Sequence, residues 1–291
     1  MLDWDIWLLS SVVAKLFIYM TSFLAVGSLM FLWLLKPETK AIRRQLFKIV
    51  IWAALFSILL TLLRISLQAG QLYDEGFIGM IDADMVQIVT EGPLGNSSYL
   101  RIAGLALLIM AVFLSGMQVP LTIVGGLAVA ASFALIGHAT REPILLGVLI
   151  TIHLLAVSYW IGGLYPLYKL ASDKSSLNEA GDIAHRFGQQ AAMIVPVLII
   201  VGVVFAIVLT GSPLKLIGTE YGLILVLKIM LVAVLLGLAA FNKLKFVPKL
   251  QNLNEDAAHH LRISIRLEFV AFVLIFVLTA VLTSAVNLPD M

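Results

Sequence analysis

Residues 136–166, IGHATREPILLGVLITIHLLAVSYWIGGLYP, contain a long apolar segment that carries a histidine in its interior. One apolar segment closes at Gly137 and His138, and a second begins at Pro143 and reaches His153 about ten residues later. An imidazole at such a position is costly, because its ring nitrogens need partners where water is absent. Polar residues inside apolar segments default to function, so His138 and His153 are candidate ligands. The alternative is that each ring only bonds a neighbouring helix.

The composition of the whole chain indicates an integral membrane protein. Of its 291 residues, 61% are hydrophobic and 12% are charged, and the mean hydropathy is +1.05. A soluble domain carries about 25% charged residues. The chain therefore needs a lipid bilayer around it. It contains no cysteine, which excludes disulfides and thiolate metal sites.

The apolar stretches predict an all-α bundle of about eight transmembrane helices. Each is continuous and reaches the roughly 20 residues that a spanning helix needs, which excludes a β-barrel. We predict an N-terminal three-helix portion at 1–120, with an outer loop at 71–98, and a C-terminal five-helix portion at 121–291. The predicted spans are 10–35, 47–70, 99–117, 121–139, 144–168, 190–210, 221–242 and 264–285.

The basic residues predict the orientation. Most of the 19 lysines and arginines fall in the connections after the first, fifth and seventh spans. The positive-inside rule places these connections in the cytoplasm, so both termini are expected in the periplasm. With no eukaryotic targeting signal in the sequence, a multi-pass protein of the bacterial inner membrane is the expected assignment. Below, "outer" means the predicted periplasmic side and "inner" the predicted cytoplasmic side.

The outer loop at 71–98 contains a predicted amphipathic helix at 80–90. Asn96, Ser97 and Ser98 are predicted to cap the third membrane helix. Four residues of this loop combine thioether and carboxylate groups that can hold a copper ion loosely: Met80, Asp82, Asp84 and Met85. The alternative is an ordinary solvated loop.

Charged residues inside the spans form a second group of candidates. Lys15, Arg64 and Lys228 fall in the outer half, and Glu268 falls near the inner end of the last predicted span. Lys228 and Glu268 are expected at different depths and hence without direct contact. Each charge costs several kcal/mol unless it reaches the headgroups or a partner. Glu268 is expected to pair with an arginine, the candidates being Arg186, Arg262 and Arg266.

Two kinds of guest are consistent with His153 and these cations. One is a copper ion, for which His138 and His153 would form two successive positions, at about 3 Å and 15 Å depth. Tyr19 and Met20 lie at a depth similar to that of His153 and are candidate further ligands. The other is haem b, with His153 as an axial ligand and the cations on its propionates.

Several short motifs resemble the CopD family of copper-resistance proteins of the inner membrane. In order along the chain, they are Gly137-His138-Ala139, His153-Leu154-Leu155, Trp160-Ile161-Gly162-Gly163, Arg186-Phe187, Leu227-Lys228, Asn242-Lys243, Val247-Pro248 and Leu267-Glu268. The resemblance implies about eight membrane helices and import of copper, as Cu+, toward the cytoplasm. It also implies a periplasmic copper-binding partner. Many members carry a histidine in the phrase Phe17–Thr21, where this chain has Tyr19.

Other functional classes have little support in the sequence. It has no Walker loop and no nucleophile elbow, so we do not expect an enzyme. The basic residues are explained by topology, so we do not expect nucleic acid as a partner. Copper transport through intramembrane histidines is the main hypothesis, and a haem-binding redox protein is the alternative.

Overall fold

The computed structural model of the protein describes residues 5–73, 76–137, 143–210 and 219–284. The regular elements among these residues are all helical, which confirms the predicted all-α fold. Within the described ranges, eight segments are long and apolar enough to cross a membrane. The chain is therefore an all-α integral membrane protein.

The long helices extend beyond the predicted spans at most of their ends. They are α1 (Ile6–Leu35), α2 (Lys40–Leu72), α4 (Pro93–Phe113), α5 (Gln118–Ser132), α6 (Pro143–Leu170), α7 (Leu177–Thr210), α8 (Glu220–Phe241) and α10 (Glu255–Leu282). Two short helices are α3 (Ala83–Glu91) and α9 (Val247–Gln251), and a π-helical turn at Asn242–Phe246 joins α8 to α9. The short outer helix predicted at 80–90 is confirmed as α3.

The helices begin earlier than predicted because their capping residues lie outside the apolar runs. Asn254 caps α10 by accepting a hydrogen bond from the amide of Ala257 at 2.8 Å, so this helix begins at Glu255 rather than near residue 264. The helix α4 begins at Pro93, which places Ser97 and Ser98 inside it and buried. Their predicted capping role is wrong.

The helix α1 lies at the centre of the bundle, against α2, α4, α5, α6 and α10. It crosses α6 at backbone contact: a Cβ atom added to Gly27 would lie 1.8 Å from the carbonyl oxygen of Ser158, and one added to Gly162 would lie 2.1 Å from the carbonyl carbon of Gly27. Small residues permit such close crossings in membranes, where apolar burial alone does not drive helices together. The glycines therefore fix the position of α6 against the centre.

The helices α7 and α8 are much less enclosed than α1. In the most apolar window of each, 6% of the residues are buried, against 56% in α1. The helix α7 packs on α6 and α9, whereas α8 packs on α10. This arrangement leaves a cleft between the described parts of α7 and α8, and the candidate site lies along it.

Polar contacts at the inner side tie the two halves of the chain together. The carboxylate of Glu179, at the start of α7, accepts hydrogen bonds from the amides of Glu38 and Thr39 at 2.7 and 3.1 Å. Lys174 and Glu255 form an ion pair at 2.7 Å. The connections are thus held together at the inner ends of α1, α7 and α10.

Candidate functional site

Three buried side chains from separate elements meet at the inner end of the cleft. The Glu268 carboxylate accepts a hydrogen bond from the indole Nε1 of Trp160 at 3.0 Å and one from Nδ2 of Asn242 at 2.6 Å. The exposed fractions of Glu268, Trp160 and Asn242 are 4%, 5% and 8%. Trp160 comes from α6, Asn242 from the π-helical turn and Glu268 from α10. We call these residues the inner polar cluster.

The partners of Glu268 are neutral, so the predicted pairing with an arginine is wrong. Arg266 instead donates to the hydroxyl of Tyr168 and lies over its ring at 5.2 Å. Arg262 lies near His259, with 3.4 Å between their nitrogen atoms. Glu268 also lies near the middle of α10, because this helix begins at Glu255. The carboxylate is therefore deep in the bundle, without an ion-pair partner among the described residues.

A cavity of about 380 Å³ opens beside the inner polar cluster, between α6, α7, α8 and α10. Its wall is mostly apolar, with Trp160, Asn242 and Glu268 among the lining residues. The Oδ1 atom of Asn242 is buried and has no hydrogen-bond partner. Two kinds of oxygen acceptor thus face one small space, and a π-helical turn, a feature frequent at functional sites, positions one of them. This arrangement suits a guest that carries positive charge or donates hydrogen bonds.

His153 on α6 and Lys228 on α8 lie outward of the inner polar cluster, within electrostatic range of each other. His153 is half-buried on α6, and its ring makes no hydrogen bond to any described residue. Trp160 follows seven residues later on the same face of α6, about 10 Å further inward. Polar groups therefore lie at two depths in the C-terminal half of the bundle. The predicted lack of contact between Lys228 and Glu268 agrees with this geometry. Whether His153 binds a metal stays a prediction.

The structure places Tyr19 and Met20 at about the depth of His153. The helices α1 and α6 run in the same direction and cross at Gly27 and Gly162, and Met20 precedes Gly27 by about two turns. The Tyr19 hydroxyl lies 3.3 Å from Oγ1 of Thr283, and its ring stacks on Phe23. Tyr19 therefore already has neighbours on α10 and α1, and its ligand role stays a prediction.

His138 lies outside the described residues, so its distance from His153 stays open.

The four candidate copper-loading residues of the outer loop lie within the described residues. Asp82 caps α3 by accepting from the amide of Met85 at 2.9 Å, while Asp84 is exposed in the first turn. Met85 packs beside Ile65, Ala69 and Val89, and Met80 lies against Gly70. These contacts and positions account for the four residues as parts of the outer loop. A copper-loading role for them stays a prediction.

Whether the charged residues of α1 and α2 reach the headgroups stays a prediction. The ammonium of Lys15 donates to the carbonyl oxygen of Thr283 at 2.6 Å, and Arg64 is half-buried. A third cation, Arg101, is 1% exposed inside α4. The predicted span 99–117 would place Arg101 at the end of its helix, whereas α4 begins about two turns earlier, at Pro93.

Sequence reasoning therefore missed three residues that the structure brings into buried polar sites: Trp160 and Asn242, which were recognised only as motif residues, and Arg101. Where the structure describes the chain, three or more His, Asp or Glu side chains nowhere gather closely enough to hold a metal ion.

Comparison with known families gives two matches along the chain. Residues 1–148 match the copper resistance protein D-like N-terminal domain, and residues 181–282 match copper resistance protein D. The chain belongs to the copper resistance protein D family. Neither curated proteins nor solved structures gave a match.

Membership of the copper resistance protein D family confirms the resemblance and links the chain to copper resistance and transport. The 181–282 match contains Lys228, Asn242 and Glu268. His153 and Trp160 lie in the stretch between the two matched ranges. Both family descriptions name copper and neither names haem, so the haem alternative gains no support. The predicted division of the chain at residue 120 stays a prediction.

Proposed function

We propose that the protein carries copper across the bacterial inner membrane toward the cytoplasm, along the cleft between α6, α7, α8 and α10. Copper is the substrate in this proposal, and the chain holds it in passing. Family membership supports the choice of metal. The direction of transport and its route along the cleft are proposed here and do not follow from family membership.

The observation that carries the proposal is the environment of Glu268. A carboxylate inside a membrane protein costs several kcal/mol and marks an ion or proton pathway more often than a structural contact. Within the described ranges, Glu268 has only the neutral donors Trp160 and Asn242, and it lines the cavity. Its negative charge is therefore left to attract a cation that reaches the inner end of the cleft.

His153 supplies a ligand for the outer level. Imidazole and thioether ligands suit cuprous ion, so we assign Cu+ as the transported form, with His153 and Met20 as ligands. Tyr19, at the same depth, and His138, outside the described residues, are proposed to complete the outer positions. The step from His153 to Glu268 is then about 10 Å along α6.

Lys228 and Glu268 are proposed to control passage by charge. The Lys228 ammonium beside His153 repels cations that have no affinity for imidazole, since like charges interact strongly at low dielectric. Copper overcomes that repulsion by coordination. Glu268 then attracts the ion from the inner side.

Copper is proposed to arrive from a periplasmic copper-binding protein. The outer loop is the nearest part of the described chain to such a partner, and its residues Met80, Asp82, Asp84 and Met85 are the proposed loading group. Asp84 is the accessible member of this group, because it is exposed, whereas Asp82 is engaged at the start of α3 and both methionines are partly buried.

Copper accumulation in bacterial cells tests this function. Cells that produce the protein should accumulate more copper than cells that do not, and His153→Ala should remove most of that difference. His185→Ala is the matched control, because His185 is exposed near the inner end of α7 and bonds only Gln189. Lower copper in producing cells would contradict the direction of transport. An unchanged difference in His153→Ala cells, at equal protein levels, would contradict the ligand role.

A further inference from the structure

Three cations lie in the outer half of the bundle, on α1, α2 and α4. The hydroxyls of Ser22 and Ser57 lie 2.7 Å apart and fix the register of the antiparallel helices α1 and α2. Lys15 precedes Ser22 by seven residues and Arg64 follows Ser57 by seven residues, so the two cations lie at the same level. Each lies about 12–14 Å inward from the outer end of its helix.

Arg101 brings a third charge to the same depth from α4. It lies eight residues after Pro93, and its guanidinium donates to Oγ of Ser97 at 3.0 Å and to Oγ of Ser132 at 3.1 Å. The guanidinium also lies 4.1 Å from the ring centre of Phe133. These partners hold the side chain in place without neutralising its charge. We call Lys15, Arg64 and Arg101 the outer cation cluster.

The charges of the outer cation cluster are only weakly compensated. Lys15 donates to Thr283 at the C-terminal end of α10, where the helix dipole offers about half of a negative charge. Arg64 makes no hydrogen bond to the described residues, and it lies within electrostatic range of both Lys15 and Arg101. In the ranges that the structure describes, none of the three forms an ion pair. Among the described residues, the cluster therefore has no carboxylate that compensates it.

The donors that remain free indicate what would balance this charge. Arg64 has a whole guanidinium unengaged, Lys15 has used one of its three N–H groups, and Arg101 has used two of its five. Several converging N–H donors with net positive charge match an oxyanion with several acceptor oxygens. Arg64 is half-buried, whereas Lys15 and Arg101 are 8% and 1% exposed, so an anion would reach Arg64 first.

We propose that Lys15, Arg64 and Arg101 bind a phosphate group in the outer half of the protein. The group is carried either by a free phosphate ion or by the headgroup of an anionic lipid. This site is separate from the inner polar cluster of the copper route, and it borders the proposed outer copper position, because Lys15 and Tyr19 both contact Thr283. Arg64 makes the first contact, and the other two close around it.

Thermal unfolding of the full-length protein in a neutral detergent tests the site. Two probes are titrated separately: potassium phosphate, against potassium chloride of equal ionic strength, and phosphatidylglycerol, against phosphatidylcholine. One of the two should raise the Tm of the wild type with saturation, because a ligand that binds only the folded state stabilises it. Arg64→Gln should weaken the apparent affinity at least tenfold. Without either probe, this variant should unfold at or above the wild-type temperature, since it removes one of three like charges.

Arg44→Gln is the matched control, because Arg44 is exposed at the opposite end of the same helix. It should respond as the wild type does, which separates the site from general effects of salt and lipid. A response to phosphate assigns a free ion, and a response to phosphatidylglycerol alone assigns a lipid headgroup. The proposal is overturned if neither probe shifts the wild type or if Arg64→Gln responds as the wild type does. If Arg64→Gln does not fold, Lys15→Gln is judged by the same criteria.

Discussion

Glu268 is held by hydrogen bonds that fix the position of its carboxylate without cancelling its charge. Hydrogen bonds to a charged acceptor contribute about 1.5–3 kcal/mol each, so Trp160 and Asn242 together offset a large part of the cost of burying it. An arginine partner would offset more of that cost but would also neutralise the group. The neutral pair therefore keeps Glu268 available to a cation in the adjoining cavity.

Replacing Trp160 by phenylalanine should destabilise the protein by about 1–3 kcal/mol, because one buried acceptor of Glu268 loses its donor. The aromatic packing against Phe272 is largely kept. Thermal unfolding of the purified variant in detergent measures the change. Trp52→Phe is the control, since Trp52 is 71% exposed on α2 and should unfold as the wild type does. Equal Tm values for Trp160→Phe and the wild type would show that the indole bond contributes nothing to stability.

The sequence located the buried charged residues of the site, but it did not show which side chains they contact. Depth inside an apolar run identified Glu268 and Lys228 as unusual, because an intramembrane charge is rare whatever surrounds it. The partner of Glu268 depends on which faces of α6, α8 and α10 turn toward each other, and one sequence does not show that. Arg101 was missed for a local reason, since the five residues between Pro93 and Tyr99 are too polar to reveal a membrane helix.

Helix contacts in this bundle depend on glycines where backbones touch. Gly27 and Gly162 bring α1 against α6, and Gly104 and Gly125 bring α4 against α5, with an added Cβ at either of the latter 2.8 Å from the opposite carbonyl oxygen. The α1–α6 crossing sets the position of the helix that carries His153 and Trp160. A substitution that separates α1 from α6 at this crossing should therefore affect both the stability of the protein and the positions of His153 and Trp160.

Gly27→Ala should destabilise the protein by at least about 1–3 kcal/mol, the usual cost of forcing extra atoms into a packed contact. The new methyl group would lie 1.8 Å from the carbonyl oxygen of Ser158, so α1 and α6 must separate. The yield of folded protein in size-exclusion chromatography and its Tm measure the effect. Gly237→Ala in α8 is the control, because nothing lies within 4 Å of its added Cβ. Equal behaviour of the two variants would contradict the close crossing.

The spanning helices themselves followed from the length of the apolar runs, since a bilayer leaves few other structures for such a segment. Their ends did not follow, because caps such as Asn254 and the polar first turns of α7 and α10 continue the helices into water. The cleft between α7 and α8 was also not foreseen. Both helices are as apolar as the rest, and only the packing shows that they turn to different neighbours.

The whole molecule combines a well-packed centre around α1 with a more open C-terminal half. The inner polar cluster lies where these parts meet, because α6 contacts α1 on one side and α7 on another. The outer cation cluster lies in the opposite half, beside α2 and α4. In the orientation predicted from the basic residues, copper at the inner polar cluster and a phosphate group at the outer cation cluster would thus lie at different levels of the bundle.

Cysteine labelling should verify that orientation. The sequence contains no native cysteine, so only the introduced cysteine can react. Asp84→Cys, on the outer loop, should react with a membrane-impermeant maleimide in intact cells. Ser172→Cys, between α6 and α7, should react only after permeabilisation. Both positions are exposed, so access to the reagent rather than burial decides the result. The reverse labelling pattern would show the opposite orientation in the membrane and would contradict the proposed direction of transport.

Copper uptake by the purified protein in liposomes tests the route through the C-terminal half most directly. Vesicles with the wild-type protein, given external copper under reducing conditions, should accumulate copper faster than protein-free vesicles. Glu268→Gln should reduce that rate at least tenfold, while Glu255→Gln, at the exposed inner start of the same helix, should leave it unchanged. Uptake by the wild type no faster than in protein-free vesicles, or equal rates for Glu268→Gln and the wild type, would contradict the account.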